Sequence, residues 1–415
     1  MRIGYMVPEF PGQTHIFFWR EREALQEVGV DTSIISTVRP PQGVISHTWA
    51  KSAEQEATYL FPFSVQDGVL AIQTILQAGP GGWWKCMRAI AQAEGVTPIQ
   101  RLRLVALIPI AAKLVRLSKT QGWHHIHVHS CATSADIAMF ASFLSTLTYS
   151  LTQHGPAFDT YGPNQGQKWQ YATFGTLVSE MLLEEARARI PDSLPEQISV
   201  VTMGVNLEEI DRRQPYQPWL EHSPCRIFST GRLNVVKAHG DLIQATKLLV
   251  QKGYDVRLQI AGEDEQGGAG YHKHLNQLIQ DLDLNNHVEL LGAVSEERIR
   301  EGLEQAHLFA LASLNEGTSV AIMEAMAMSM PVVVTAVGGT PKLVQDGVNG
   351  LLVEPENPGA IANRIISVLL DPELAVELGK AARQTIAAKY HHRRSAEVLA
   401  HFLKLLPPEP QNSLQ

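Results

Sequence analysis

The segment SLNEGTSVAIMEAMAMSMPVVVTAVGGTP, residues 313–341, decides how this chain is read. It reads as a strand end, a loop, a short apolar helix and a second strand, PVVVTA. Two glutamates eight positions apart, Glu316 and Glu324, interrupt an otherwise Ala/Met-rich stretch. A buried helix needs neither. With the helix opening near Ser319, Gly317, Thr318 and Ser319 offer backbone N–H groups at a helix N-terminus, which favours anions. Carboxylates accept paired hydrogen bonds from vicinal hydroxyls, as on sugars and ribose. Two carboxylates flanking an amide-rich helix start suit a sugar nucleotide. Spacing alone equally admits Glu316 as a helix cap and Glu324 as a solvated charge.

Outward from this segment, strands and helices alternate. RIFST, VRLQIAG, HVELLG and LFALAS read as strands, with GDLIQATKLLVQKG, HKHLNQLIQDLDL and SEERIREGLEQA as the helices between them. Upstream, RIGYMV, VDTSIIS, HIHVH, YSLTQ, TLVS and ISVVTMGV form a second set of strands, with a less regular region over 40–120. Such alternation predicts parallel sheets covered by helices. The Pro-rich polar stretch 211–226 is expected to be an interdomain linker. Residues from 357 to about 406 read as nearly all helix, and the Pro-rich tail as disordered. Two doubly wound α/β domains follow, facing a central cleft, with the strand C-termini carrying the ligand.

Composition narrows the partners. The 415 residues carry a net charge of −8, so nothing global favours nucleic acid. Three widely separated cysteines argue against a disulfide framework and fit a reducing, cytoplasmic setting. The N-terminus lacks the apolar core of a signal peptide, and no run of about 18 apolar residues suggests a membrane span. The basic–apolar stretch 101–119 reads as a buried helix or, alternatively, as one lying on an anionic membrane surface.

The pattern from Glu316 through EAMA and PVV to VGGTPKLVQDGVNGLLVEPENP resembles the family 4 retaining glycosyltransferases. The resemblance implies a GT-B fold of two Rossmann-like domains: 1–210 on the acceptor side, 222–395 binding the nucleotide sugar, a helix at 396–408 returning to the first domain, and a tail at 409–415. It puts Glu316 by the donor sugar hydroxyls, Glu324 on the ribose, and the amides of Gly317, Thr318 and Ser319 on sugar or phosphate oxygens. STGRLNVVKAHG resembles the family's diphosphate-gripping stretch, which gives that role to Arg232 and Lys237; Ala238 stands where relatives usually have Gly. Fixed cations there stabilise the charge of a departing diphosphate. Gly12 is placed where backbone approaches a phosphate or sugar, His154 by the donor sugar, and Gly292 and Val294 at the nucleobase. Asp159 follows His154 five residues on, and Lys342 stands where relatives usually have Glu.

Two patterns compete as metal sites. His125, His127 and His129 alternate along a strand with Cys131 in line, but neighbours on one straight strand diverge poorly for tetrahedral closure. The Asp281–Asp283 pair at a helix end reads as solvated charge. The expectation is therefore metal-independent transfer of a hexose from a donor such as a UDP- or GDP-hexose, with no cofactor, to a glycan or lipid-linked acceptor. Glu316, His154, Arg232 and Lys237 form its catalytic set. His129 and residues 40–120 are assigned to the acceptor side, where Trp83 and Trp84 read as sugar-stacking, lipid-facing or core. The opening of the chain most resembles enzymes that build exopolysaccharide repeat units on lipid carriers, which implies peripheral contact with the inner face of the cytoplasmic membrane. A sugar-nucleotide epimerase, another GT-B enzyme or a silent sugar-nucleotide-binding protein are the rivals.

Overall fold

The computed structural model describes residues 1–12, 15–40, 49–155, 158–264 and 268–406. The described residues divide into two compact units, the first of 1–40, 49–202 and 393–406, the second of 203–392. The tail 409–415 and the side chain of Asp159 lie outside what is described.

The first unit holds a parallel sheet of seven strands: β1 (Arg2–Glu9), β2 (Asp31–Val38), β3 (Thr58–Tyr59), β4 (His125–Val128), β5 (Thr148–Gln153), β6 (Phe174–Leu177) and β7 (Gln197–Val200). Their order is β3-β2-β1-β4-β5-β6-β7. The second unit holds six: β8 (Cys225–Thr230), β9 (Val256–Ala261), β10 (Val288–Gly292), β11 (Leu308–Leu311), β12 (Val332–Thr335) and β13 (Leu351–Val353), ordered β10-β9-β8-β11-β12-β13. Every pairing is parallel. Helices cover both faces of such sheets, so central strands such as LFAL and VVVT are buried at every position rather than alternating. In each sheet the order reverses beside the first strand, between β1 and β4 and between β8 and β11. Doubly wound sheets bind ligands at the carboxyl ends flanking that reversal.

Residues 49–120 are more regular than their sequence suggests. Three helices, Val65–Gln77, Gly79–Gln92 and Pro98–Gln121, fill most of the stretch. Ser64 with Asp67, and Thr97 with Gln100, form reciprocal capping boxes that start the first and third. The periodicity is blurred because Val65, Val69, Ile72 and Leu76 face outward while Ala71 and Thr74 face inward, leaving apolar residues on both sides. The stretch 101–119 lies within the third helix, which buries Leu104, Ile108, Leu114 and Val115 and accommodates Pro109. No helix among the described residues is long and apolar enough to cross a membrane.

The stretch 211–226 is no free linker. Arg212 donates to the Leu303 carbonyl at 3.3 Å, Tyr216 Oη donates to the His307 carbonyl at 2.6 Å, and Trp219 is buried in the second unit's core. Its prolines disrupt periodicity, but side-chain bonds replace the missing ladder. At the other end, helix Arg393–Lys404 packs on helix Ile16–Glu27 in the first unit, burying Ala396, Leu399 and Leu403 against Ile3, Tyr5 and Phe18.

Candidate functional site

The second unit assembles its candidates from loops at strand carboxyl ends. After β8 the chain passes Gly231 and Arg232 into a 3-10 turn, Val235–Lys237, where Asn234 Oδ1 accepts the Lys237 N–H at 3.1 Å. The Leu314 N–H, beyond β11, donates to the Val236 carbonyl at 2.7 Å and fastens the two loops together. Their side chains then meet. Lys237 Nζ lies 2.5 Å from Glu316 Oε1, and Ser313 Oγ donates to the same oxygen at 2.7 Å. The pair therefore sits at the reversal between β8 and β11.

Glycines allow this closeness. A Cβ on Gly338 would fall 1.9 Å from the Glu316 carbonyl oxygen, and one on Gly339 would fall 1.8 Å from that of Gly317. The Gly339 N–H donates to the Glu316 carbonyl at 2.9 Å. The VGGTP run thus clamps the glutamate loop, and no side chain fits there.

The remaining second-unit candidates occupy neighbouring ends. Arg232 is exposed on the β8 loop. Gly292 closes β10 with φ +68°, and its carbonyl accepts the Gly262 N–H at 2.9 Å; Val294 follows, half-buried. Gly317 and Thr318 are half-buried, and Ser319 is the N-cap of helix Val320–Ala327. Glu324 is half-buried on that helix between the buried Met323 and Ala325. One relation differs from the expectation. The resemblance gives Lys237 to the diphosphate and Glu316 to the sugar, yet here they bond to each other. A carboxylate only 7% exposed requires a counter-charge or donors, and Lys237 with Ser313 supplies both.

The first unit brings together a different cluster. His154, half-buried after β5, places Nε2 3.0 Å from His129 Nδ1. His129 Nε2 lies 3.2 Å from Glu21 Oε2, which also accepts the Tyr5 hydroxyl at 2.6 Å. Phe17 and Phe18 enclose the His154 ring. Burial pushes Glu21 up to about 7 and His154 down to about 3. The other alternating histidines are structural: His125 bonds Thr148 and Ser150, and His127 bonds Ser150 and Thr152, all at 2.7–2.8 Å. Both nitrogens of each ring face hydroxyls.

Gly12 meets its own chain first, since a Cβ there would fall 2.5 Å from His15 Nδ1. Asp281 and Asp283 are exposed, and Asp281 accepts from Gln277. Trp83 and Trp84 are exposed, which removes the core reading. Lys342 is exposed on a short helix, Thr340–Leu343. A cavity of about 610 Å³ lined by Arg226, Arg257 and His287 lies at the opposite, amino end of the second sheet.

Sequence reasoning missed Ser313, the Gly338–Gly339 clamp and the Tyr5–Glu21 pair. The double glycine was visible as a signal for close approach; nothing in WREREAL marks Glu21 as buried.

Residues 217–385 match the family described as glycosyl transferases group 1. The chain is 31% identical over 217 residues to the amylovoran biosynthesis glycosyltransferase AmsK of Erwinia amylovora, covering 51% of each. It is 29% identical over 219 residues to the putative colanic acid biosynthesis glycosyltransferase WcaL of Salmonella typhimurium, covering 51% of this chain and 52% of that one. The chain thus spans about half the length of these relatives. The crystal structure of HepE of Anabaena with UDP superposes with a TM-score of 0.71 at 18% identity, covering 98% of this chain and all of that one; HepE has also been solved with UDP-glucose. Two parallel α/β sheets match GT-B structures over nearly the full chain, which shows the GT-B fold, and the match to the glycosyl transferases group 1 family is confined to 217–385.

Proposed function

We propose that this protein is a retaining hexosyltransferase that uses a nucleotide-sugar donor and acts on a hydroxyl of a lipid-linked or polysaccharide acceptor. The observation that carries this reading is the Lys237–Glu316 pair at the β8/β11 reversal, with Arg232 on the same loop. A diphosphate there draws on the Lys237 ammonium and the Arg232 guanidinium as the glycosidic bond breaks. Glu316 then accepts from sugar hydroxyls, Glu324 from the ribose, and the amides of 317–319 donate to the remaining oxygens. In the retaining mechanism implied by the family, the acceptor hydroxyl attacks the face the diphosphate leaves. The departing phosphate oxygen takes the acceptor's proton. His154, enclosed by Phe17 and Phe18 and bonded to His129, is assigned to the donor sugar as a neutral ring. UDP-sugars head the donor candidates because HepE, of the same fold, has been solved with UDP-glucose. AmsK and WcaL by name point to exopolysaccharide acceptors, and hence to the cytoplasmic side of a membrane.

The test is a thermal-shift screen of UDP-, GDP- and ADP-sugars, followed by transfer assays. A true donor raises the melting temperature by binding the native state. Arg232→Ala, Lys237→Ala and Glu316→Ala are expected to lower kcat by roughly 10²–10³-fold. Wild-type transfer by all three variants would overturn the assignment. Release of an isomerised sugar nucleotide without acceptor would show an epimerase instead.

A further inference from the structure

The helical block at 61–121 carries features that donor chemistry leaves unexplained. A cavity of about 720 Å³, within the usual range of about 300–1,000 Å³ for ligand pockets, opens in the first unit. Its walls are apolar: Phe61, Phe63, Leu104, Leu107 and Ile110. Its floor is polar. Asp136, 5% exposed, and Asn164, 6% exposed, line it, and each has a buried Oδ1 without a hydrogen-bond partner among the described residues. Lys168 Nζ lies 3.4 Å from Asp136 Oδ2, and the Asn164 side chain also bonds that carboxylate. Burial lifts Asp136 to about 6, against the opposing pull of Lys168 and Asn164. Both Oδ1 atoms are out of solvent contact, so what the cavity offers a ligand is its apolar walls.

The surroundings say what kind of ligand. Nine of the twenty exposed large hydrophobic side chains among the described residues fall between 65 and 105, about a tenth of the chain. On helix Val65–Gln77 they form a single outward stripe, Val65, Val69, Ile72 and Leu76, each more than 60% exposed. Residues 61–119 carry seven Lys/Arg against two Asp/Glu, in a chain of net charge −8. Lys85, Arg88 and Arg103 are exposed and make no ion pair among the described residues, and Arg103 also lines the cavity. Apolar stripes beside exposed cations fit an anionic, chain-bearing amphiphile. The cavity also adjoins the first-unit cluster. Thr133 opens the helix that follows His129, and the Tyr161 hydroxyl accepts from the N–H of Gly155, next to His154.

We infer that this cavity takes the apolar chain of an anionic amphiphilic acceptor, with Arg103 at the mouth drawing the charged end. Calling the ligand an acceptor rests on the glycosyltransferase reading; the binding of a chain does not.

The experiment is calorimetric titration of the full chain with monomeric dodecyl phosphate, with inorganic phosphate as the chain-free probe. Dodecyl phosphate is expected to bind at least about tenfold more tightly, since each buried methylene contributes favourably. Ala106→Trp, on an exposed helix position lining the cavity, should remove most of that preference while the nucleotide-sugar thermal shift persists, which certifies the fold. Equal affinity for the two probes, or unchanged chain binding in Ala106→Trp, overturns the inference. Vesicles with and without anionic lipid separate a bulk bilayer from a single chain. Binding to anionic vesicles without binding of monomeric dodecyl phosphate would mean a membrane-lying face and no chain pocket, and would also overturn it. Chain binding without any sugar transfer would refute the proposed function and leave the pocket standing.

Discussion

The two units solve the same problem, a buried titratable cluster at strand carboxyl ends, in opposite ways. In the second unit Lys237 and Glu316 meet as opposite charges, with an ammonium against a carboxylate that Ser313 also supports. In the first unit Tyr5, Glu21, His129 and His154 are joined by hydrogen bonds and close approaches while burial drives each of them towards neutrality. One cluster stores charge and the other suppresses it. A site that must hold a diphosphate needs the first kind. A ring that faces a sugar without competing for that phosphate needs the second.

Breaking the charged cluster should have the largest effect on stability. Lys237→Met leaves Glu316 buried without its cation and is expected to cost about 3–5 kcal/mol in urea unfolding. Glu316→Gln keeps a hydrogen-bond acceptor for Ser313 and Lys237 and should cost about 1–2 kcal/mol. The double variant should lose less than the two single losses combined. A cost below about 1 kcal/mol for Lys237→Met would mean that the pair is too well solvated to be the buried counter-charge described.

The neutral cluster can be sharpened by pH. Tyr5 from β1, Ser395 from helix Arg393–Lys404 and His129 from the β4 end face Glu21. Its folded pKa of about 7 exceeds the ordinary 4.5, so the folded state keeps a proton that the unfolded chain releases earlier. The stability Glu21 contributes is present below about 4.5 and is lost as pH rises through 7. His154 runs the other way: held down to about 3, its contribution is present above about 6.5 and is lost as pH falls. Comparing wild type with Glu21→Gln isolates the first term. The wild type should lose about 3 kcal/mol relative to the variant between pH 4.5 and 7. A difference that stays flat across that window would show Glu21 to be ionised and solvated.

What the sequence made legible follows from the same contrast. Most of the second-unit site is written almost contiguously: Ser313, Glu316, the amides after it, Glu324 and the double glycine lie within 29 residues, with Lys237 standing 79 positions upstream of Glu316. The neutral relay is spread over Tyr5, Glu21, His129 and His154, and only folding brings it together. A glutamate in WREREAL looks like any solvated helix charge until Ser395 packs over it. The sheets were legible because parallel strands are continuous apolar runs. β13 escaped because three residues give no period. The helices at 65–92 escaped, the first of them because an outward stripe as apolar as the inward face removes the contrast that period detection uses, whereas the stretch 101–119 was legible as a helix. The segment 211–226 misled because proline content signals an absence of periodic structure, not an absence of packing.

The smallest expected effect concerns the one residue beside Lys237 that departs from the usual pattern. Ala238 adopts φ +45° and ψ +40°, the left-handed region in which a Cβ costs about 1–2 kcal/mol. Glycine would relieve that strain, which is why glycine suits the position. Two terms oppose the relief. The Ala238 methyl is buried in the second unit's core, so its removal forfeits about 0.8 kcal/mol of transfer energy. Glycine also adds unfolded-state freedom worth about 0.4–1 kcal/mol. Ala238→Gly should therefore change stability by no more than about 0.8 kcal/mol in either direction, with the donor-induced thermal shift retained. A gain beyond about 1 kcal/mol would mean that the strain on this loop exceeds the packing of its methyl. The turn carrying Lys237 would then be held against its own preference, as charge sites on tight loops can be.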